Sequence, residues 1–412
     1  MALAQQTSTS AERVQYLETI RGLAAVQVLL LHCLSAYAPA LVFSRLSDGT
    51  VAATLGASPL FFLYDGYSAV YIFFILSGYV LTRSFESHPA GPLANVLARL
   101  VRLGIPAVAA CAVSAALYAL FAGANIEAGQ LLQSAWFAKL WRPDLTPLYF
   151  AKDAVANALL LGYQNAEGLG LFTPLLDPPA RSFVAPLWSL SWEFWGSLLT
   201  LLMVLIRRGS AEFRLAALLL LTVCFLSSSM LCFIVGHVAA LYRIAEKPPV
   251  LNRWAGWALL GAGIGCCVVS ETWQPDILKA FCGWSGVTVY PGPGPYLFQK
   301  VIGSILICAG ITQLSSLRRL LSRPRLVGYA QLSFPLYLVH WPILFGPGAA
   351  LFLATYATFG IAASQVLAIA FCIVASLLAA QAFAPVDRLA VQLSRMIRRW
   401  RGSRAEVGAT VG

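Results

Sequence analysis

The feature that most constrains this chain is a succession of apolar runs, each close to the length of a membrane-crossing helix. A helix needs about 20 mostly apolar residues to span the hydrocarbon, and fewer where it is broken or shielded by protein. Ten such runs fall near residues 21–38, 69–82, 103–122, 187–206, 214–227, 230–243, 254–271, 298–314, 335–355 and 361–383. A soluble fold would have to cover them with charged surface. Charged residues make up only 11% of the chain and hydrophobic ones 59%, against about 25% and 45–50% in ordinary globular domains. The mean hydropathy of +0.75 points the same way. The sequence therefore predicts an all-α polytopic membrane protein with about ten transmembrane helices. The least distinct runs flank Ser227-Ser228-Ser229, where 215–242 reads as one long helix or two short ones.

Charge placement tests that number. With a cytoplasmic N-terminus and alternating spans, the outer segments hold Arg45, Lys139, Arg142, Lys152, Arg181, Lys279 and Lys300. The remaining 21 of the 28 lysines and arginines lie inside, the excess expected of short cytoplasmic loops. Fusing the fifth and sixth runs would invert everything downstream and put Arg318, Arg319, Arg323 and Arg325 outside. Both termini are accordingly expected in the cytoplasm. The net charge of +11 is thus a sorting across a membrane and gives no reason to expect a nucleic-acid partner.

The chain divides into a cytoplasmic N-terminal segment (1–20), a transmembrane domain (21–383) and a basic cytoplasmic tail (384–412). Reading the first run as a cleaved signal peptide, with Ala36-Tyr37-Ala38 as its site, is disfavoured by Glu12 and Glu18 among the flanking charges. The outer segment 123–186, with five prolines, is too long for a connector and is expected to cap or line an outward-facing cavity. Tyr290-Pro-Gly-Pro-Gly-Pro-Tyr296 reads as a rigid turn on the same side, and the basic stretch 395–404 as an anchor on anionic lipid head groups. None of the nine cysteines has CxxC spacing and all but Cys282 lie in apolar runs, so neither a metal nor a disulfide framework is expected.

Few ionisable residues lie within the runs. The first opens at Arg21 and carries His32 eleven residues on, so the two share a helix face, with His32 roughly 16 Å deeper, near the bilayer middle. An imidazole there can act as a base for a hydroxyl or as a nucleophile, or it can simply bond a neighbouring helix. Ser77-Gly78 in the second run lets another backbone come close. Arg99 and Arg102, one turn apart at the entry to the third, suit phosphate oxygens; plain positive-inside anchoring is the other reading. Ser189 and Glu193 are an i, i+4 pair amid Trp188, Trp192 and Trp195, so the hydroxyl can orient a carboxylate that no cation in its own sequence neighbourhood balances. Tyr337 and His340 share a face just before Pro342. His88 reads as a loop residue and His237 as structural.

Taken together and in order, these pieces resemble the acyltransferase 3 family of integral membrane acyltransferases. The resemblance rests on Arg21 with His32, Phe73-Phe74-Ile-Leu-Ser77-Gly78-Tyr79, Arg99-x-x-Arg102-x-x-x-Pro106, Trp188-Ser189-Leu-x-x-Glu193 and Tyr337-Leu-x-His340-x-Pro342, over residues 16–342. It implies transfer of an acyl group, commonly acetyl, from cytosolic acyl-CoA as co-substrate to a hydroxyl on a sugar-containing cell-envelope acceptor. It also implies that His32 is the catalytic histidine supported by Arg21, and that Arg99 and Arg102 contact the CoA phosphates. Ser189, Glu193, Tyr337 and His340 are expected to bind the acceptor. Some relatives carry a C-terminal extracytoplasmic SGNH-type domain; with only some 30 residues after the tenth run, none is expected here. The acceptor is therefore expected to reach the membrane cavity directly, or a separate extracytoplasmic protein to finish the transfer. A multi-pass location in the inner (cytoplasmic) membrane follows. A proton-coupled transporter using His32 and Glu193 as a relay is the rival reading, though it leaves the paired arginines unexplained.

Overall fold

The computed structural model describes residues 2–43, 51–87, 90–164, 176–268, 276, 279–280 and 294–409. His88, Cys282 and most of the Tyr290–Tyr296 turn lie outside them. Among the described residues the fold is all-helical, without strands. Ten principal helices follow one another: α1 (Ala2–Tyr37), α2 (Gly66–Ser87), α3 (Pro92–Phe121), α4 (Trp188–Ile206), α5 (Ala211–Cys224), α6 (Leu231–Leu241), α7 (Arg253–Val268), α8 (Gly294–Gln313), α9 (Ser333–Ile343) and α10 (Ala349–Ala409). Among the described residues six stretches are long and apolar enough to cross a membrane: Val14–Tyr37, Gly66–Ser87, Pro92–Phe121, Ala185–Ile206, Tyr296–Gln313 and Ser333–Arg399. The last is interrupted. Pro342 cannot donate to the carbonyl of Leu338, the helix widens into a π turn at Leu344–Gly348, and Gly360 adopts a left-handed φ of 76° inside α10.

Local sequence sets the helix ends. Pro92 occupies the first turn of α3, where its missing N–H costs nothing. Ser210 caps α5 by accepting from the Phe213 N–H at 3.2 Å, with Glu212 in the first turn. Helix α1 packs against α2, α9 and α10, while α2 in turn meets α4, α6 and α8. One crossing is unusually close. A Cβ on Gly78 would lie 2.4 Å from the Phe233 carbonyl oxygen, and one on Gly236 would lie 2.1 Å from that of Ile75. Only two glycines let α2 and α6 touch backbone to backbone, which gives the Ser77-Gly78 pair its packing role.

Apolar side chains of the described residues pack into four clusters, two of them larger than the rest. One joins α1, α3, α9 and α10 with buried Phe137 and Trp141 of the 123–186 segment. The other joins α2, α4, α6 and α8 around Phe74, Trp192 and Phe233. The described part of the 123–186 segment is folded onto the first core. Ser134 accepts from the Phe137 N–H at 3.3 Å, capping the short helix Ala135–Lys139, and its hydroxyl donates to the Ser35 carbonyl of α1 at 2.8 Å. Trp141 donates to Ser114 of α3 at 2.9 Å, and Ser114 to the Phe183 carbonyl at 2.5 Å. None of the eight described cysteines forms a disulfide.

Candidate active site

His32 and His340 meet across the α1–α9 interface. His32 Nδ1 lies 2.8 Å from His340 Nε2, and the rings are coplanar within 4° at a centroid separation of 5.1 Å, the arrangement of an in-plane bond between ring edges. The protons in this pair can be placed. His340 Nδ1 sits 3.1 Å from the Leu336 carbonyl oxygen one turn back, and a carbonyl only accepts, so Nδ1 carries the hydrogen. In a neutral imidazole the other nitrogen is then an acceptor. His32 must therefore donate from Nδ1, which leaves the lone pair of its Nε2 unspent. His340 is fully buried while His32 keeps some exposure. The open nitrogen belongs to the accessible ring.

Aromatic rings frame it. Trp136 of the 123–186 segment lies nearly parallel to His32 at 5.8 Å, and Trp341 meets it edge-on at 5.3 Å. Nothing in the sequence distinguished Trp136 from the other tryptophans; its place over His32 depends on the Ser134 tie to α1.

The remaining sequence-selected residues gather in one cavity of about 240 Å³, lined by Arg21, Arg99, Arg102, Ser189, Glu193 and Tyr337 together with Ser77 and Phe334. Arg21 thus faces this cavity, and its ion pair is with Glu18 at 3.1 Å; three turns of helix separate it from His32. Tyr337 joins cavity and histidines, with its ring 6.1 Å from that of His340.

An acyltransferase-domain family model matches residues 14–384, nearly the whole chain. The chain belongs to the acyltransferase 3 family. It matches no curated protein and no solved structure. As a member of that family with several long apolar helices, it is a multi-pass membrane acyltransferase.

Within this acyltransferase the polar contacts differ from one sequence expectation. Ser189 does not orient Glu193: its hydroxyl lies 2.7 Å from the Tyr337 oxygen and 3.3 Å from the Pro186 carbonyl, and Tyr337 itself donates to Pro186. Glu193, which has no cation in its own sequence neighbourhood, finds one on another helix. Arg99 reaches it from α3 at 2.8 Å, a partner 94 positions away that local spacing could not show. Arg102 pairs with Asp387 of α10 at 2.5 Å and lies over the Phe334 ring at 4.8 Å. Asp387 escaped the sequence reading because it follows the last apolar run, in what looked like a basic tail. Both guanidiniums are thus held by carboxylates, and Arg99 Nε is buried without a partner. Among the described residues no group of three or more His, Cys, Asp or Glu side chains is placed to hold a metal ion.

Away from the histidines, in the 123–186 segment, Asp153 accepts from the Phe183 N–H at 2.9 Å and from Asn157 at 3.4 Å. Asn157 also donates to Asp177 at 2.9 Å. Burial, reinforced by nearby Asp177, pushes the Asp153 carboxyl up to about 6 against these hydrogen bonds.

Proposed function

We propose that this protein is an O-acyltransferase that takes an acyl group, in the simplest case acetyl, from cytosolic acyl-CoA and places it on a hydroxyl of a sugar-containing cell-envelope acceptor such as an exopolysaccharide, lipopolysaccharide or glycolipid. The observation that carries this reading is the open Nε2 of His32, with its tautomer fixed by His340 and the Leu336 carbonyl. Such a nitrogen removes the proton of an attacking hydroxyl or attacks the thioester carbon itself. As a base, His32 takes the proton of the acceptor hydroxyl while the O–C bond forms and the C–S bond breaks, and it passes that proton to the departing thiolate. As a nucleophile, it forms an N–C bond as the C–S bond breaks, the acceptor oxygen then displaces the imidazole from the acyl carbon, and the freed imidazole carries the acceptor's proton to the thiolate. The coplanar contact lets His340 hold the Nδ1–H while charge develops on His32.

Arg99 and Arg102 are assigned to the CoA phosphates, with Arg21 on the same cavity wall. Glu193 and Asp387 hold both guanidiniums in place until phosphate oxygens compete for them. Ser189, Tyr337 and Glu193 then present hydroxyl and carboxylate groups to the acceptor. No metal is required by these steps. The topology that fits is ten crossings of the inner (cytoplasmic) membrane with both ends in the cytoplasm. It rests on the 21-to-7 sorting of cations and on helices under each apolar run.

The test is incubation of the purified, lipid-reconstituted protein with radiolabelled acetyl-CoA. Release of CoA with label on protein or glycan is expected, and His32→Gln should reduce it about 10³-fold. Inert protein would favour the carrier reading, whereas an undiminished His32→Gln would keep the enzyme and remove His32 from its centre. Mass spectrometry of envelope glycans with and without the protein then identifies the acceptor through the lost acyl mass.

A further inference from the structure

Two adjoining cavities lie across α2 from the one that holds Arg99 and Glu193, and the proposed transfer does not use them. The first is a cleft of about 560 Å³ lined by Lys247, Arg318, Arg319 and Arg323 with Tyr16 and Ser315, and with no acidic side chain on its wall. Arg318 shapes the cleft. It is buried, lies 5.0 Å over the Tyr16 ring, and donates to the carbonyls of Ala245, Lys247 and Thr312. Lys247, Arg319 and Arg323 are different. Among the described residues none of them has a carboxylate within ion-pair distance, whereas Arg83, Arg207 and Arg243 nearby are all paired with Glu86 or Glu246. Three cations converging on a cleft without counter-charge make an anion site.

The second cavity, about 420 Å³, shares the Tyr16 wall with the first and is almost wholly apolar, lined by residues such as Leu17, Leu76, Ile234, Leu259 and Ala309. Its lining has no residue in common with the cavity that holds Arg99 and Glu193. Helix α2 divides them, presenting Ile75, Leu76 and Tyr79 to one and Phe73, Ser77 and Leu81 to the other.

We infer that these adjoining cavities form a binding site for an anionic phospholipid, its phosphate among Lys247, Arg319 and Arg323 and one acyl chain in the apolar cavity behind Tyr16. A charged head and an apolar tail, joined at one wall, match the two linings in sequence. The division by α2 favours a membrane lipid over the acyl donor, because a chain lodged behind Tyr16 points away from His32 and could not present a thioester to it. The inference does not rest on the transferase reading. A lipid bound here buttresses α1, the helix that carries His32.

The test measures phospholipid retained by the detergent-purified full chain after exchange into vesicles of phosphatidylglycerol or phosphatidylcholine, counted by native mass spectrometry. Phosphatidylglycerol should be retained roughly tenfold better, less than the full strength of three cations near a surface because all are solvated. The triple variant Lys247→Gln/Arg319→Gln/Arg323→Gln should lose that preference, while Arg208→Gln/Arg214→Gln keeps it. Ala309→Phe, which fills the tail cavity and leaves every charge, should lower retention of both lipids. Circular dichroism and thermal unfolding confirm that each variant compared is folded. Equal retention of the two lipids by the unaltered protein, or undiminished retention by the triple variant, overturns the site. Displacement of bound lipid by long-chain acyl-CoA at equal concentration overturns its assignment to phospholipid. His32→Gln should keep the lipid, so failure of the transferase reading and failure of this one are separately visible.

Discussion

Two ionisable pairs that join helices of this protein are built to opposite ends. Lys300 and Asp65 are both fully buried and meet at 2.9 Å. Lys300 also donates to the Cys267 carbonyl at 2.5 Å and lies against the rings of Phe61 and Tyr296 at 4.9 and 5.0 Å, while Ser68 donates to the same Asp65 oxygen. Every direction the ammonium can point is occupied. His32 and His340 are also in contact, but their chain of donors and acceptors runs one way, from the Leu336 carbonyl outward, and ends on an unspent nitrogen. Burial alone therefore does not make a group chemical. A closed pair locks two helices together; a pair with one unfilled valence at its accessible end can do work on a substrate.

The contrast can be broken by substitution. Lys300→Met alone strands the Asp65 carboxylate in a dry site and should cost about 3–5 kcal/mol of stability, read as loss of folded protein in a detergent thermal-unfolding assay. Lys300→Met with Asp65→Leu should restore most of the fold and leave acyl transfer near the original rate. Transfer that stays lost in a folded double variant would show that this pair, too, serves the chemistry. His340→Phe should preserve the fold and lower kcat by about 10²-fold, because nothing then fixes which His32 nitrogen is protonated. His340→Gln, whose amide oxygen can still accept from Nδ1–H, should recover part of the loss. Equal rates for the two variants would demote His340 to packing.

Smaller effects sharpen the picture. Arg99→Gln should raise KM for the acyl donor about tenfold and weaken the fold through unpaired Glu193; adding Glu193→Gln should restore stability without restoring KM. A KM that recovers with stability would remove Arg99 from donor binding. The smallest effect concerns Asp153. Its carboxyl titrates near 6 in the folded protein, above the ordinary value, so between about pH 4 and 6 the folded state holds a proton that the unfolded chain releases. Its contribution to stability is present at the acid end and is lost as pH rises through 6. The apparent Tm should gain about 2 °C on going from pH 7.5 to 5, and Asp153→Asn should abolish that gain.

What was legible in the sequence was whatever repeats along one helix. Apolar length marked the helices, and the spacing of Arg21 and His32, of Arg99 and Arg102, and of Tyr337 and His340 put each pair on a common face. The family could be read from those fragments in order. The contacts that finish the site were not legible, because they join helices that the sequence keeps far apart: His32 to His340, Arg99 to Glu193, Arg102 to Asp387. Helical period says which way a residue faces and nothing about what stands opposite. Ser189 shows the same limit from the other side, since a sound i, i+4 spacing lost to a nearer hydroxyl on α9.

One feature of the 123–186 segment bears on how relatives can diverge. Ser134 caps the helix that carries Trp136 and in the same gesture ties it to Ser35, three residues past His32 on α1. The segment is therefore no detachable module. A loop transplanted from a relative would bring its own roof for the histidine and would have to find the matching anchor on α1, so the helix that carries Trp136 and the first helix must be inherited together.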